Sequence, residues 1–270
     1  MLKFADLVEQ NADKLARLES LPTGRPISVI KHFDIPYMAS KSFTEENGTY
    51  KIVRYEPVGV CAGIASWNAA FVYVGWKIAP ALAAGCSFIF KTSEKSPLGV
   101  LGLAPLYAEA GFPLGVVQFV RGARDTGAAL ASHMNIAKIS FTGSITARRA
   151  VQAAAAKSDL KRVTLELGGK LPAIVFNDAP LEAAVGGVGQ GFLLNSGQVC
   201  VAASRVLVQE DIAPRFQEAV NAAFESVSAG TGANPLEPTT THGPVVDKAQ
   251  YDRVMGYTLT LARTRRHCSR

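Results

Sequence analysis

From residue 57 onward, short apolar runs alternate with longer stretches of helical spacing. VGVCAGIAS precedes a helical pattern that reaches Ala84 and stops at Gly85, and SFIFKT precedes one from Pro97 to Ala110 closed by Gly111. VVQFV is followed by Asp125 to Ser132, KISFT by Ser144 to Lys157, and RVTLEL leads through two glycines to AIVF. Strand after helix at this spacing predicts a doubly wound, mostly parallel α/β sheet with helices on both faces, and AIVF is read as part of it. A second element begins near Asp178. It comprises a helix through Gly191, a break at Gly197 and Gln198, Cys200, the strand SRVLVQ and a helix from Ala213 to Ala229, and then GANPLEP reads as a surface loop.

Ahead of the sheet, residues 1–20 suit a helix closed by Leu21, Pro22, Thr23 and Gly24. EENGTYKIVRYEP predicts a hairpin over residues 42–55 that pivots on Asn47 and Gly48. The closing ARTRRHCSR has neither helical nor strand periodicity and reads as unstructured. The pattern thus divides the chain into a first domain over residues 1–177, the beginning of a second α/β domain over 178–257, and an atypical tail over 258–270.

Composition narrows the function classes. With 270 residues and 48% hydrophobic content, the chain can bury a sizeable core. Lys and Arg number 28 against 22 Asp and Glu, but four of the arginines sit in the last eight residues, so no basic stripe with interleaved aromatics points to nucleic acid. The stretch from Pro57 to Trp76 has no charge. Gly59, Gly63, Ser66, Asn68 and Gly75 dilute it, and it reads as buried strand, turn and helix rather than a membrane span. Asp6 and Glu9 interrupt the amino-terminal helix where a secretory segment needs an unbroken apolar run, so the expected location is cytoplasmic. Cys61, Cys86, Cys200 and Cys268 form no CxxC pair, and no metal or disulfide framework is expected.

In an open parallel sheet, ligands bind beyond the carboxyl ends of the strands, and the polar residues there are the candidates. Ser66, Trp67 and Asn68 follow the first strand, Lys91, Thr92, Ser93 and Glu94 the second, and Thr142, Gly143 and Ser144 the fourth, while Glu166 ends the fifth. Ser144 opens a helix after a glycine, which suits either a phosphate site or a simple N-cap. Lys91 and Glu94 could hold ribose hydroxyls or lie in a solvated loop, and a carboxylate there would repel an adenosine phosphate, favouring NAD over NADP. Cys200 lies in a turn, where an accessible thiol could attack a carbonyl carbon with Asn68 as an oxyanion donor, although a lone cysteine is commonly inert filling. Glu166, in the apolar setting VTLELGG, is expected in a partly dry cleft with a raised pKa suited to a general base. None of the four histidines stands at a strand end, and GGVGQG at 186–191 follows no strand and sits inside a helical pattern, so neither a Cys/His dyad nor a dinucleotide loop at GGVGQG is expected.

SWN at 66–68, KTSEKSPL at 91–98, FTGS at 141–144, ELGGK at 166–170 and GQVC at 197–200 occur in an order that resembles the aldehyde dehydrogenase superfamily, over about residues 5 to 257. The resemblance implies a Rossmann-like NAD-binding domain followed by the start of a catalytic domain. It implies Cys200 as nucleophile, Glu166 as general base and Asn68 as oxyanion donor. Ser66, Trp67, Lys91, Glu94, Gly143, Ser144, Leu167 and Gly168 fall in the cofactor site. NAD is the implied cofactor, with NADP disfavoured, a small-molecule aldehyde the substrate, and a homo-oligomer the usual assembly.

The chain departs from that pattern at several places. Ser66 and Ala70 stand where the family usually has prolines around the WN pair, which predicts a less rigid loop. Arg148 stands where a glycine is usual, and Leu171 where a small residue is. An aromatic-rich run before the hairpin is absent, and so are the Glu-x-Phe-Gly-Pro motif and the closing strand used in oligomers. The expectation is an incomplete aldehyde dehydrogenase with an alien tail from about Leu261 and poor activity on its own. Two rival readings are a silent binding module and a cysteine hydrolase independent of nicotinamide.

Overall fold

The computed structural model describes residues 2–24, 26–29, 56–230 and 232–265. The hairpin expected over 42–55 lies outside the described residues. Helices α1 (Leu2–Gln10), α2 (Ala12–Thr23) and α3 (Ile27–Val29) precede the sheet. The single amino-terminal helix of the sequence pattern is therefore broken at Asn11. Helix α2 runs on through Pro22 to a left-handed Gly24 cap, whose N–H donates to the Ser20 carbonyl.

The first sheet contains β1 (Val60–Ile64), β2 (Ser87–Lys91), β3 (Val117–Val120), β4 (Lys138–Gly143) and β5 (Arg162–Leu167). Its strand order is β3-β2-β1-β4-β5 and every pairing is parallel. The connections run through α4 (Ala70–Ala83), the pair α5 (Leu98–Leu101) and α6 (Ala104–Glu109), α7 (Arg124–Ser132) and α8 (Ile145–Lys157). The order reverses between β1 and β4, and that reversal opens a crevice at their carboxyl ends.

Alternation along the strands sends side chains to two separate cores. Cys61, Phe88 and Phe90 pack with α1, α2, α4, α5 and α6 on one face, through Leu15, Phe71, Ile78, Val100 and Leu106. Ala62, Ile64, Ile139 and Phe141 pack with α7 and α8 on the other, through Ala131 and Val151. This two-faced burial is the doubly wound arrangement that the sequence pattern predicts.

The strand carrying AIVF is a correction. As β6 (Pro172–Val175) it does not join the first sheet but pairs in parallel with β7 (Arg205–Val208) in a separate two-stranded sheet. The change of sheet falls at Gly168–Leu171, ahead of the boundary at residue 177 that the sequence pattern suggests. Two short strands of similar apolar character cannot be assigned to a sheet by periodicity alone. Helix α9 (Leu181–Leu193) forms the crossover, and α10 (Ala213–Ala229) packs beside it around Val175, Val188, Ile212 and Phe216.

A second correction concerns the carboxyl end. Helix α11 spans Lys248–Arg265 and so includes residues expected to be irregular. Residues 251–260 are all exposed, so over that stretch the helix has no packed face to impose an apolar stripe.

Candidate functional site

The uncharged run after Glu56 ends β1 at Ile64 and starts α4 at Ala70, which leaves Ser66, Trp67 and Asn68 as a tight turn at the strand's carboxyl end. The turn is bound on all sides. The Ala65 N–H donates to the Lys91 carbonyl at 3.1 Å, and the Ser96 hydroxyl donates to the Trp67 carbonyl at 3.2 Å. Asn68 is buried. Its Nδ2 donates to the Gln198 carbonyl at 3.0 Å, and its own carbonyl lies 3.4 Å from the donating Nδ2 of Asn195. These two bonds join the loop after β1 to the segment that carries Cys200.

That segment is held in an unusual backbone. Asn195, Ser196 and Gly197 take φ values of 52°, 55° and 71° in succession. Asn and Gly tolerate left-handed geometry, whereas a left-handed Ser costs about 1–3 kcal/mol and persists only where surrounding contacts hold it. Gln198 supplies several: its Nε2 donates to the carbonyls of Asn195 at 3.2 Å and Pro244 at 3.3 Å, and its Oε1 accepts from the Val246 N–H at 2.9 Å. Ser196 Oγ donates to the Gly243 carbonyl. Cys200 emerges from this brace half-buried.

Cys61 and Cys86 are buried. Burial raises the Cys61 thiol to about 11, and the neighbouring Cys86 adds to the rise against an opposing pull from Lys138. Both therefore have the character of core filling.

Glu166 is placed differently from its expected dry setting. Val163, Leu165 and Leu167 pack beneath α8, and alternation turns Arg162, Thr164 and Glu166 to the opposite face of β5, where all three are exposed. The apolar neighbours of Glu166 in the sequence thus occupy the other side of the strand. The ELGGK segment still meets the cysteine turn. A Cβ built on Gly169 would lie 3.5 Å from the Cys200 carbonyl, and the Leu171 N–H donates to the Ala202 carbonyl at 3.2 Å. In register, Glu166 lies opposite Thr142 and Leu167 opposite Gly143. Leu167 is half-buried and Gly168 is exposed with open space where a Cβ would be.

The sequence pattern overlooked Lys77. It sits in α4 with 6% exposure, its Nζ donates to Ser140 Oγ at 2.8 Å, and it lies 5.9 Å from the Tyr73 ring centroid. Burial lowers its pKa to about 8, and the charge of Glu166 works against that fall. Lys77 is the first charged residue after the uncharged run, in the otherwise apolar helix AFVYVGWKIAPALA, and that solitary charge was the available signal.

At the remaining strand ends, Lys91 is buried and its Nζ lies 3.5 Å from the exposed Glu94 carboxylate. The next residue but three in that loop is tied down: Lys95 meets Asp247 at 2.5 Å, and this bond holds the Asp247 carboxyl below its ordinary value. Ser144 caps α8, its Oγ accepting from the Ala147 N–H at 3.2 Å. Gly143 is required locally, because a Cβ there would lie 2.7 Å from the Phe141 ring. Arg148, one turn into α8, has a buried Nε with no hydrogen-bond partner among the described residues, and the same holds for the buried Thr142 hydroxyl. GGVGQG lies within α9, away from any strand end, in keeping with its rejection as a dinucleotide loop. Among the described residues no cluster of His, Cys, Asp and Glu could hold a metal, and no helix is long and apolar enough to cross a membrane.

The crevice suits an extended, anionic cofactor. It combines the positive N-terminal end of the 13-residue α8 with the buried Lys91 ammonium.

Known proteins resemble this chain in sequence and in fold. The family model described as "Aldehyde dehydrogenase family" matches residues 1–265. An aldehyde dehydrogenase of Emericella nidulans is 42% identical over 270 residues, covering 94% of this chain and 54% of the relative. Retinal dehydrogenase 2 of Homo sapiens is 42% identical, covering 94% of this chain and 51% of its own length. Among solved structures, indole-3-acetaldehyde dehydrogenase complexed with NAD+ superposes with a TM-score of 0.87 at 41% identity, over 95% of this chain and 55% of that one. PnpE in complex with nicotinamide adenine dinucleotide gives 0.84 at 38% identity, over 95% and 55%. The chain spans about half the length of the curated relatives it matches.

Proposed function

Because this chain belongs to the aldehyde dehydrogenase family, we propose that its site carries out the NAD-dependent oxidation of an aldehyde to a carboxylic acid. The Cys200 thiolate adds to the aldehyde carbonyl, and the resulting oxyanion is stabilised by the Asn68 Nδ2 and the Cys200 backbone N–H. NAD held in the crevice would supply the hydride acceptor needed for loss of the thiohemiacetal hydride, which leaves a thioester on Cys200. Glu166 takes a proton from water, and the hydroxide attacks the thioester carbonyl, releasing the acid and regenerating the thiolate.

The carrying observation is the joining of the Asn68 loop to the Cys200 turn through the Asn68–Gln198 and Asn195–Asn68 bonds, with Gly169 against the Cys200 carbonyl. For the cofactor, Ser66, Trp67, Gly143, Ser144, Leu167 and Gly168 line the crevice, and Lys91 and Glu94 are suited to ribose hydroxyls. An exposed carboxylate at Glu94 disfavours an added adenosine phosphate, which supports NAD over NADP. NAD complexes among the similar structures support a nicotinamide cofactor.

The test is purified chain with NAD and a panel of short aldehydes, followed by the absorbance of reduced nicotinamide. The proposal expects slow turnover that disappears in Cys200→Ala, and robust turnover would refute the impairment expected of this chain. Ester hydrolysis dependent on Cys200 but indifferent to NAD, with no reduced nicotinamide, would replace it with a hydrolase.

A further inference from the structure

The acceptor side of the Asn68 carboxamide is fully used, and by two side chains given no such role above. Ser66 Oγ donates to Asn68 Oδ1 at 2.7 Å, and the Tyr73 phenol donates to the same oxygen at 3.0 Å. Chemistry fixes the direction of both bonds. An amide carbonyl can only accept, so both hydroxyls must donate. Flipping the carboxamide would set Oδ1 against the Gln198 carbonyl, two acceptors face to face, so one orientation satisfies all three partners. One Nδ2 proton goes to Gln198, and the second has no partner among the described residues.

We propose that Ser66 and Tyr73 are the positioning residues of the oxyanion donor: they fix the Asn68 carboxamide and polarise it, so that its second N–H is aimed and strengthened for a developing oxyanion. The inference rests on the function proposed above. Two hydrogen bonds onto an amide oxygen draw electron density from the nitrogen and make its N–H groups better donors. The Tyr73 phenol is itself reinforced. It is 2% exposed, and the Lys77 ammonium over its ring at 5.9 Å withdraws density and favours O–H donation.

Ser66 gives this arrangement its particular form. A proline at this position would stiffen the loop through its ring and could offer no donor. Ser66 restrains the same loop through a hydrogen bond to the side chain that matters. The looser loop expected from the missing ring is therefore braced from within.

A merely structural role would consist of satisfying a buried amide, and the test separates the two. The Asn68 side-chain amide resonances of the free chain are observed by proton–nitrogen correlation and assigned by their loss in Asn68→Asp. Ser66→Ala and Tyr73→Phe are each expected to move both amide protons upfield, with the double variant moving them further. In steady-state kinetics each single variant is expected to lower kcat about tenfold, a fraction of the loss on removing an oxyanion donor itself, with the KM for NAD unchanged in Tyr73→Phe. In an Asn68→Ala background, Tyr73→Phe should then cost nothing more. Amide resonances that stay in place in both variants, or a kcat loss as large in the Asn68→Ala background as in the parent, would overturn the proposal. If the parent chain oxidises no aldehyde, the function proposed above fails by itself, and the resonances still decide whether the two hydroxyls polarise Asn68.

Discussion

Asn68 and Gln198, 130 residues apart in the chain, meet through a 3.0 Å hydrogen bond from a side-chain amide to a backbone carbonyl. That bond couples the first crossover of the five-stranded sheet to the cysteine turn. The turn's left-handed residues need external support, and Asn68 is part of it.

Asn68→Ala is therefore expected to act twice. Loss of the oxyanion donor should lower kcat by about 10²–10³. Loss of the Gln198 contact should lower stability by about 1 kcal/mol, because Asn195 Nδ2, 3.3 Å from the same carbonyl, remains to satisfy it. Steady-state kinetics and urea denaturation of the variant measure the two effects separately.

Lys77 makes stability depend on pH in a defined direction. Between its folded value of about 8 and the ordinary 10.5, the unfolded chain holds the proton that the folded chain has released. The unfolded state then binds more protons, so stability rises with pH across this window and falls as pH drops through about 8. The interval amounts to about 3 kcal/mol. Urea midpoints from pH 7.5 to 10.5 for the parent and Lys77→Met should show the parent gaining on the variant by that order. A constant difference would mean that Lys77 does not titrate there.

The two-stranded sheet carries an exposed apolar face. Ile174 and Phe176 project to one side by alternation, Leu207 lies opposite Ile174 in register, and the three are 60%, 61% and 56% exposed. Contiguous apolar surface beside unpaired strand edges promotes association. Light scattering of the purified chain should show concentration-dependent self-association that Leu207→Lys reduces, and a sharp monomer at all concentrations would refute it.

Much of the first sheet was legible because each of its strands is a short apolar run closed by a glycine or a polar turn, as at Ile64, Lys91 and Gly143. The site residues were legible as polar groups at those ends. Three features were hidden for physical reasons. β6 reads like any buried strand, and only its pairing with β7 tells which sheet it joins. The setting of Glu166 depends on which face alternation gives it, so apolar neighbours such as Leu165 and Leu167 suggested a dry site while they themselves turned away. The bond of Asn68 with Gln198 joins segments 130 residues apart, where sequence spacing carries no signal. Tyr73 looks like an ordinary core aromatic until its hydroxyl is seen to have a partner.

On the proposed function, Cys200 and Glu166 serve successive steps of one reaction. Mass spectrometry of the chain after incubation with NAD and a short aldehyde tests it most directly, comparing the parent with Glu166→Gln. The account predicts an acyl group on the Cys200 peptide that accumulates when Glu166 can no longer activate water, with Cys61 and Cys86 unmodified. An acyl group on another residue, or equal levels on Cys200 in parent and variant, would contradict it.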